Sequence, residues 1–169
     1  MVIIVFGLPG SGKSYLASHL ASKIDAVYIN SDQVRLTLFP FRTYSDEEKK
    51  LVYRFILKQA QLELSKGKDV VLDGTFYKTE IRDEFTRTLH AFSPCFIEVI
   101  ADESLILQRL KRPRKFSEAD ASVFTLIKTQ WEPMQDDHLI LTSTDSNLEE
   151  MIRQALAYIH RLKHKTIDS

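Results

Sequence analysis

The sequence predicts an α/β fold, a five-stranded parallel sheet flanked by helices, and three observations carry that expectation. Short β-branched and apolar runs alternate with helical patterns along the chain. The runs are continuously apolar, as in strands buried on both faces. Capping signals open several of the stretches between them. Repeated β-α-β order implies parallel strands in a three-layer arrangement, with ligands bound beyond the strands' carboxyl ends.

The first strand run is Val2 to Phe6, and a helix is expected from near Gly12. Further strands are expected at Ala26 to Ile29, Val70 to Leu72, Cys95 to Ile100 and Leu139 to Leu141. Ser45-x-x-Glu48 and Ser146-x-x-Glu149 read as capping boxes, each opening an amphipathic run. The last helix places Leu148, Ile152, Ala155, Ile159 and Leu162 on one core-facing stripe, and the polar tail beyond is expected to fray. Between a helix ending near Leu110 and another starting near Glu118 lies the basic stretch Arg109 to Ser117, broken by Pro113.

At 169 residues the chain is long enough for one well-buried core and short for two, so a single domain over 1–169 is expected. Lys plus Arg and Asp plus Glu both total 23, which leaves no net field to draw the protein to nucleic acid or a membrane. Any anionic partner must be held locally. The single cysteine, Cys95, excludes an intramolecular disulfide and sits in a strand run, which suggests a buried thiol and a reducing compartment. The apolar opening is too short for a signal peptide, and no run approaches the roughly 18 apolar residues of a membrane span. A soluble, cytoplasmic protein is expected; its oligomeric state is not legible.

Gly7-Leu8-Pro9-Gly10-Ser11-Gly12-Lys13-Ser14 has the form G-x-x-x-x-G-K-[ST], directly after a strand run and opening a helix, the context that gives this string its meaning. The chain must turn sharply there while its amides converge on phosphate oxygens, and Gly7, Gly10 and Gly12 permit the turn around Ser11. The helix start adds unsatisfied N–H groups and the positive end of its dipole. Lys13 reaches the β- and γ-phosphates, and the Ser14 hydroxyl ligates magnesium. The motif thus predicts binding of a nucleoside triphosphate, ATP with Mg2+.

Asp73 closes the apolar run Val70-Val71-Leu72 and is expected beside this loop, where an acid holds magnesium through water; Asp73-Gly74-Thr75 also reads as a turn, in which Asp73 is only a cap. Asp32 and Arg35, three apart after the second strand, share one face of a helix start. A carboxylate there can take the proton of an attacking hydroxyl, and the arginine can clamp the acceptor or the transferring group. The alternative is that Asp32 or Ser31 caps the helix and Arg35 is solvated.

Together these stretches resemble the P-loop kinases of the AAA-domain and zeta-toxin-like group, related to the kinase domain of polynucleotide kinases and to chloramphenicol phosphotransferase-like enzymes. The resemblance spans nearly the whole chain. It rests on Gly7 to Ser14, on Ser31-Asp32-Gln33-Val34-Arg35, on Val70 to Phe76 with Arg82, and on Arg109-Leu110-Lys111-Arg112 before Ser117-Glu118-Ala119-Asp120-Ala121. It implies the P-loop NTPase fold and a phosphotransferase in which Asp32 is the base or orients the acceptor hydroxyl and Arg35 binds near the acceptor. Arg109 and Arg112, or Arg114 across Pro113 in place of Arg112, match the lid arginines that reach ATP phosphates, which makes 109–117 a basic lid; Lys111, Arg112, Arg114 and Lys115 also read as a solvated surface or a nucleic-acid or targeting patch.

The expected reaction is transfer of the γ-phosphoryl group of ATP to a hydroxyl acceptor, a nucleic acid 5′ end or a small metabolite. The alternative is an ATP-hydrolysing switch or binding module acting on a protein partner, although no N-K-x-D guanine signature is present. Phe39, Phe41 and Tyr44, like Phe76 and Tyr77, either line an acceptor pocket or pack on the core. Thr142 to Asn147 is a candidate base-holding loop. Trp131 reads as packing, and His160 with His164 lacks a third ligand for a metal site.

Overall fold

The computed structural model describes residues 1–41, 43, 45–112 and 119–167. Among them five parallel strands form one sheet: β1 (Val2–Phe6), β2 (Val27–Asn30), β3 (Val70–Gly74), β4 (Pro94–Ile100) and β5 (Leu139–Thr142), in the order β2-β3-β1-β4-β5. The helices are α1 (Lys13–Lys23), α2 (Ser31–Leu38), α3 (Asp46–Ser65), α4 (Thr79–Thr88), α5 (Glu103–Leu110), α6 (Ala121–Thr129) and α7 (Leu148–Ile167). None of the described helices is long and apolar enough to cross a membrane.

Central β1 is buried along its whole length, which is why its sequence is apolar at every position. Its side chains alternate between two cores. Ile4 and Phe6 join Leu72, Phe96, Val52, Ile56 and Phe85 on the α3 side, while Ile3 and Val5 join Val71, Ile97, Leu16, Leu20 and the α7 residues Ile152, Ala155 and Ile159 on the other. Each large aliphatic side chain buried this way contributes about 1.5–3 kcal/mol. The α7 stripe is wider than its spacing suggests, because Met151 and Tyr158 are also buried. Cys95 is buried, and burial pushes its thiol up to about 12.

Several boundaries and caps differ from expectation for local reasons. β2 starts at Val27, where the N–H reaches the Asp69 carbonyl at 2.9 Å, because the Ala26 N–H is taken by Ala21 at 2.9 Å. The Ser45 box is half formed: Ser45 Oγ accepts the Glu48 N–H at 3.2 Å, but the Glu48 carboxylate turns to Arg35 and Thr43. The Ser146 box is not formed. α7 begins at Leu148, and Asn147 instead bridges the preceding loop, accepting from Thr144 N–H and donating to the Thr142 carbonyl, both at 2.8 Å.

α6 begins at Ala121 rather than near Glu118, capped by Asp120, which accepts from the N–H groups of Ser122 at 2.9 Å and Val123 at 3.0 Å. Residues 113–118, and with them most of the expected lid, lie outside the described residues, as does Tyr44. Trp131 packs against Phe6, ring to ring at 6.0 Å and nearly parallel. Phe39 packs on the core and Phe41 is exposed.

Phe76 is fully buried, edge-on to Tyr53 and Phe85, so it fills the core. Its backbone is left-handed, at φ 44°, and its neighbours hold it there: its N–H donates to Tyr53 Oη at 3.1 Å, and Arg82 Nη1 donates to its carbonyl at 2.7 Å. Arg82 is buried and also donates to the Glu132 carbonyl at 2.7 Å, tying the β3–α4 loop to the segment after α6.

Candidate functional site

β1 ends where the chain turns through Gly7 to Gly12 into α1. Gly7 leaves no room for a side chain, because a Cβ there would collide with the Val99 carbonyl. Gly12, the residue before α1, sits at φ 98°, and a Cβ on it would lie 2.6 Å from Ser143 Oγ. The loop therefore threads between the end of β4 and the β5–α7 loop. It delivers the first turn of α1, with amides that have no helical acceptor, into a cleft of about 870 Å3.

Lys13 and Ser14 line that cleft from the loop side, and Asp32 and Gln33 line it from the start of α2. Asn30, not Ser31 or Asp32, caps α2: its Oδ1 accepts the Gln33 N–H at 2.9 Å. Arg109 and Arg112 complete the lining with Ser143, Thr144 and Asp145. Arg109 is a staple. Nη1 donates to the Ser11 carbonyl at 3.3 Å and to Ser143 Oγ at 3.1 Å, and Nη2 donates to the Thr144 carbonyl at 2.9 Å and Asp145 Oδ1 at 3.2 Å.

Asp73 is paired in register with Val5 of β1 and Asn30 of β2 and is buried. Strand alternation puts it on the side of Val71, the face that α1 covers. Its Oδ2 accepts from Tyr28 Oη at 2.7 Å and from Asn30 Nδ2, while Oδ1 has no partner among the described residues. A buried carboxylate oxygen without a donor is a costly feature in isolation, and it fits a position that holds a metal-bound water. Burial, then the charge of Asp73 and that of Asp32, raise the Tyr28 phenol well above its ordinary value, so Tyr28 stays a hydrogen-bond donor.

Arg35 does not line the cleft. It is buried in an ion pair with Glu48 of α3, whose other oxygen accepts from the Thr43 N–H at 2.7 Å and Thr43 Oγ1 at 3.0 Å. Burial alone would raise the Glu48 carboxyl; the Thr43 amide and the Arg35 guanidinium outweigh it and hold the group at about 2.

The cleft thus brings together Gly10, Gly12, Lys13, Ser14, Asp32, Arg109 and Arg112, with Gly7 and Ser11 buried behind it and Asp73 beneath Tyr28 and Asn30. Sequence reasoning missed Tyr28 and Asn30. Their period-two spacing before Asp32 was the available signal, but only strand register shows that both reach Asp73.

The model of the AAA domain family matches residues 2–136. An uncharacterised protein of Mycobacterium tuberculosis is 34% identical over 91 residues, which is 47% of this chain and 18% of that protein, so the chain spans less than a fifth of the length of the curated relatives it matches. The fold is similar to that of a gluconokinase from Sinorhizobium meliloti, at a TM-score of 0.77 and 20% identity over 99% of this chain and 97% of that one. It is also similar to an APS kinase from Mycobacterium tuberculosis, solved with AMPPNP and APS, at 0.72 and 16% identity over 94% and 96% of the two chains. The glycine-threaded loop, the strand order and the family match agree: the chain belongs to the AAA domain family and has the fold of P-loop kinases.

Proposed function

We propose that the protein is an ATP-dependent phosphotransferase that moves the γ-phosphoryl group to a hydroxyl acceptor, a nucleic acid 5′ end or a small metabolite. The observation that carries this reading is that Lys13 and Ser14 share one cleft with Asp32, which is carried on a separate helix start. A hydrolase needs only the first set. A transferase also needs a group that orients an incoming hydroxyl, and Asp32 supplies it.

The α1 amides and Lys13 bind the phosphates, and Arg109 braces the phosphate loop against the β5–α7 loop that faces the nucleotide. Ser14 and, through water, Asp73 are the residues that would hold magnesium, which when bound neutralises charge on the β- and γ-phosphoryl oxygens. The acceptor oxygen bonds to the γ-phosphorus as its proton passes to Asp32, and the bond to the β,γ-bridging oxygen breaks, so ADP leaves. Arg112 meets charge on the transferring group from the lid side, where Arg109 leads into the segment proposed as the lid over 109–117. Arg35 acts on the acceptor side through α2, locking the helix that carries Asp32 onto α3.

The acceptors of the two similar solved kinases differ, a gluconokinase and an APS kinase, so the fold leaves the acceptor open. The test is a screen with γ-labelled ATP across oligonucleotide 5′ ends, nucleosides, sugars and amino alcohols. Label on one of these acceptors supports the proposal. Hydrolysis that releases only inorganic phosphate across the whole panel supports instead a nucleotide switch that acts on a protein partner.

A further inference from the structure

The Asn30 side-chain amide is committed at both ends. Its oxygen accepts the Gln33 N–H that caps α2, and its nitrogen donates to Asp73 Oδ2 and, at 3.2 Å, to Tyr28 Oη. Turning the amide over would set its oxygen against the carboxylate and its NH2 against the Gln33 N–H, losing every bond at once. The cap therefore fixes which end of Asn30 meets Asp73. Tyr28 adds a second donor to the same carboxylate oxygen at 2.7 Å.

With both donors on Oδ2, the carboxylate plane is set and Oδ1 is the oxygen left to accept from anything else. Tyr28 and Asn30 both line the cleft, and Asp73 is buried and bonded to both. We infer that Asn30 and Tyr28 are positioning residues that orient Asp73 so that Oδ1 alone faces the metal-bound water. The inference rests on the proposed role of Asp73 in holding magnesium. Groups behind a ligand typically change metal affinity or activity about 10–100-fold when removed, because they fix its orientation.

Three variants separate the possibilities. Asn30→Asp keeps a good helix cap but replaces the NH2 donor with an oxygen facing Asp73. Tyr28→Phe removes one hydroxyl, and Asp73→Asn tests the proposed ligand itself. For each, the affinity for ADP is measured by calorimetry with Mg2+ and with EDTA, and Mn2+ binding to the ADP complex is followed by electron paramagnetic resonance. The expected result is that the Mg2+-dependent gain in ADP affinity falls about tenfold or more in all three, while affinity in EDTA stays near that of the unaltered protein.

A merely structural role would lower both affinities together, and that outcome overturns the inference. A full Mg2+-dependent gain in Asn30→Asp and Tyr28→Phe, with the gain lost in Asp73→Asn, overturns the inference and leaves the metal role of Asp73 standing. A full gain in Asp73→Asn overturns that role and this inference with it. Should Asn30→Asp fail to fold, Tyr28→Phe carries the same test.

Discussion

Arg35 of α2 and Glu48 of α3 form a buried ion pair that joins the helix carrying Asp32 to its neighbour. Removing Glu48 takes a buried counter-charge away from Arg35, so Glu48→Ala is expected to cost about 3–5 kcal/mol in urea unfolding. Replacing both, as Arg35→Met with Glu48→Leu, is expected to cost less than Glu48→Ala alone. A double variant no more stable than the single one would show that the pair's charge is not what matters.

The same pair sets an acid limit. Glu48 titrates at about 2 when folded against an ordinary 4.5, so the unfolded chain takes up this proton first as pH falls. Its contribution is therefore present in full above pH 4.5 and is lost progressively towards pH 2. Urea unfolding across that window should show a shallower loss of stability in Glu48→Gln than in the unaltered protein; parallel curves would refute the assignment.

Gly12 and Gly67 separate crowding from backbone strain. Both have positive φ, 98° and 79°, but a Cβ on Gly67 meets nothing within 4 Å, whereas one on Gly12 meets Ser143 Oγ at 2.6 Å. Gly67→Ala is expected to cost about 1–2 kcal/mol and leave nucleotide binding intact. Gly12→Ala should cost more and weaken ADP binding, because the loop must shift away from Ser143. Equal effects on both melting and binding would contradict the close threading of the loop.

Arg109 bonds through both terminal nitrogens to two loops, a fork that lysine cannot reproduce. Arg109→Lys is thus expected to weaken ADP binding about tenfold, nearly as much as Arg109→Ala, measured by calorimetry. Full affinity in Arg109→Lys would show that positive charge alone suffices.

The sheet was legible because β1 is buried and apolar throughout, and because β3 and β4 carry the apolar runs Val70 to Leu72 and Cys95 to Ile97 in their buried parts. β2 runs on to polar Asn30, one residue beyond the apolar run, and that strand position is what lets Asn30 reach Asp73. The phosphate loop was legible because its chemistry is local. Arg35 was not: one face of a helix start is all that spacing gives, and the partner that draws the guanidinium inward, Glu48, lies on a different helix and was read there as half of a capping box. Arg82 likewise stood in a motif whose local role, holding Phe76 in a left-handed conformation, only the folded loop reveals.

The central claim is that Asp32 serves the acceptor and not the donor, and Asp32→Asn tests it with an acceptor found in the labelling screen. Transfer of the γ-phosphoryl group is expected to fall about 10²–10⁴-fold while the affinity for magnesium ATP stays within about twofold. Full transfer by Asp32→Asn, with ATP bound normally, would contradict the account.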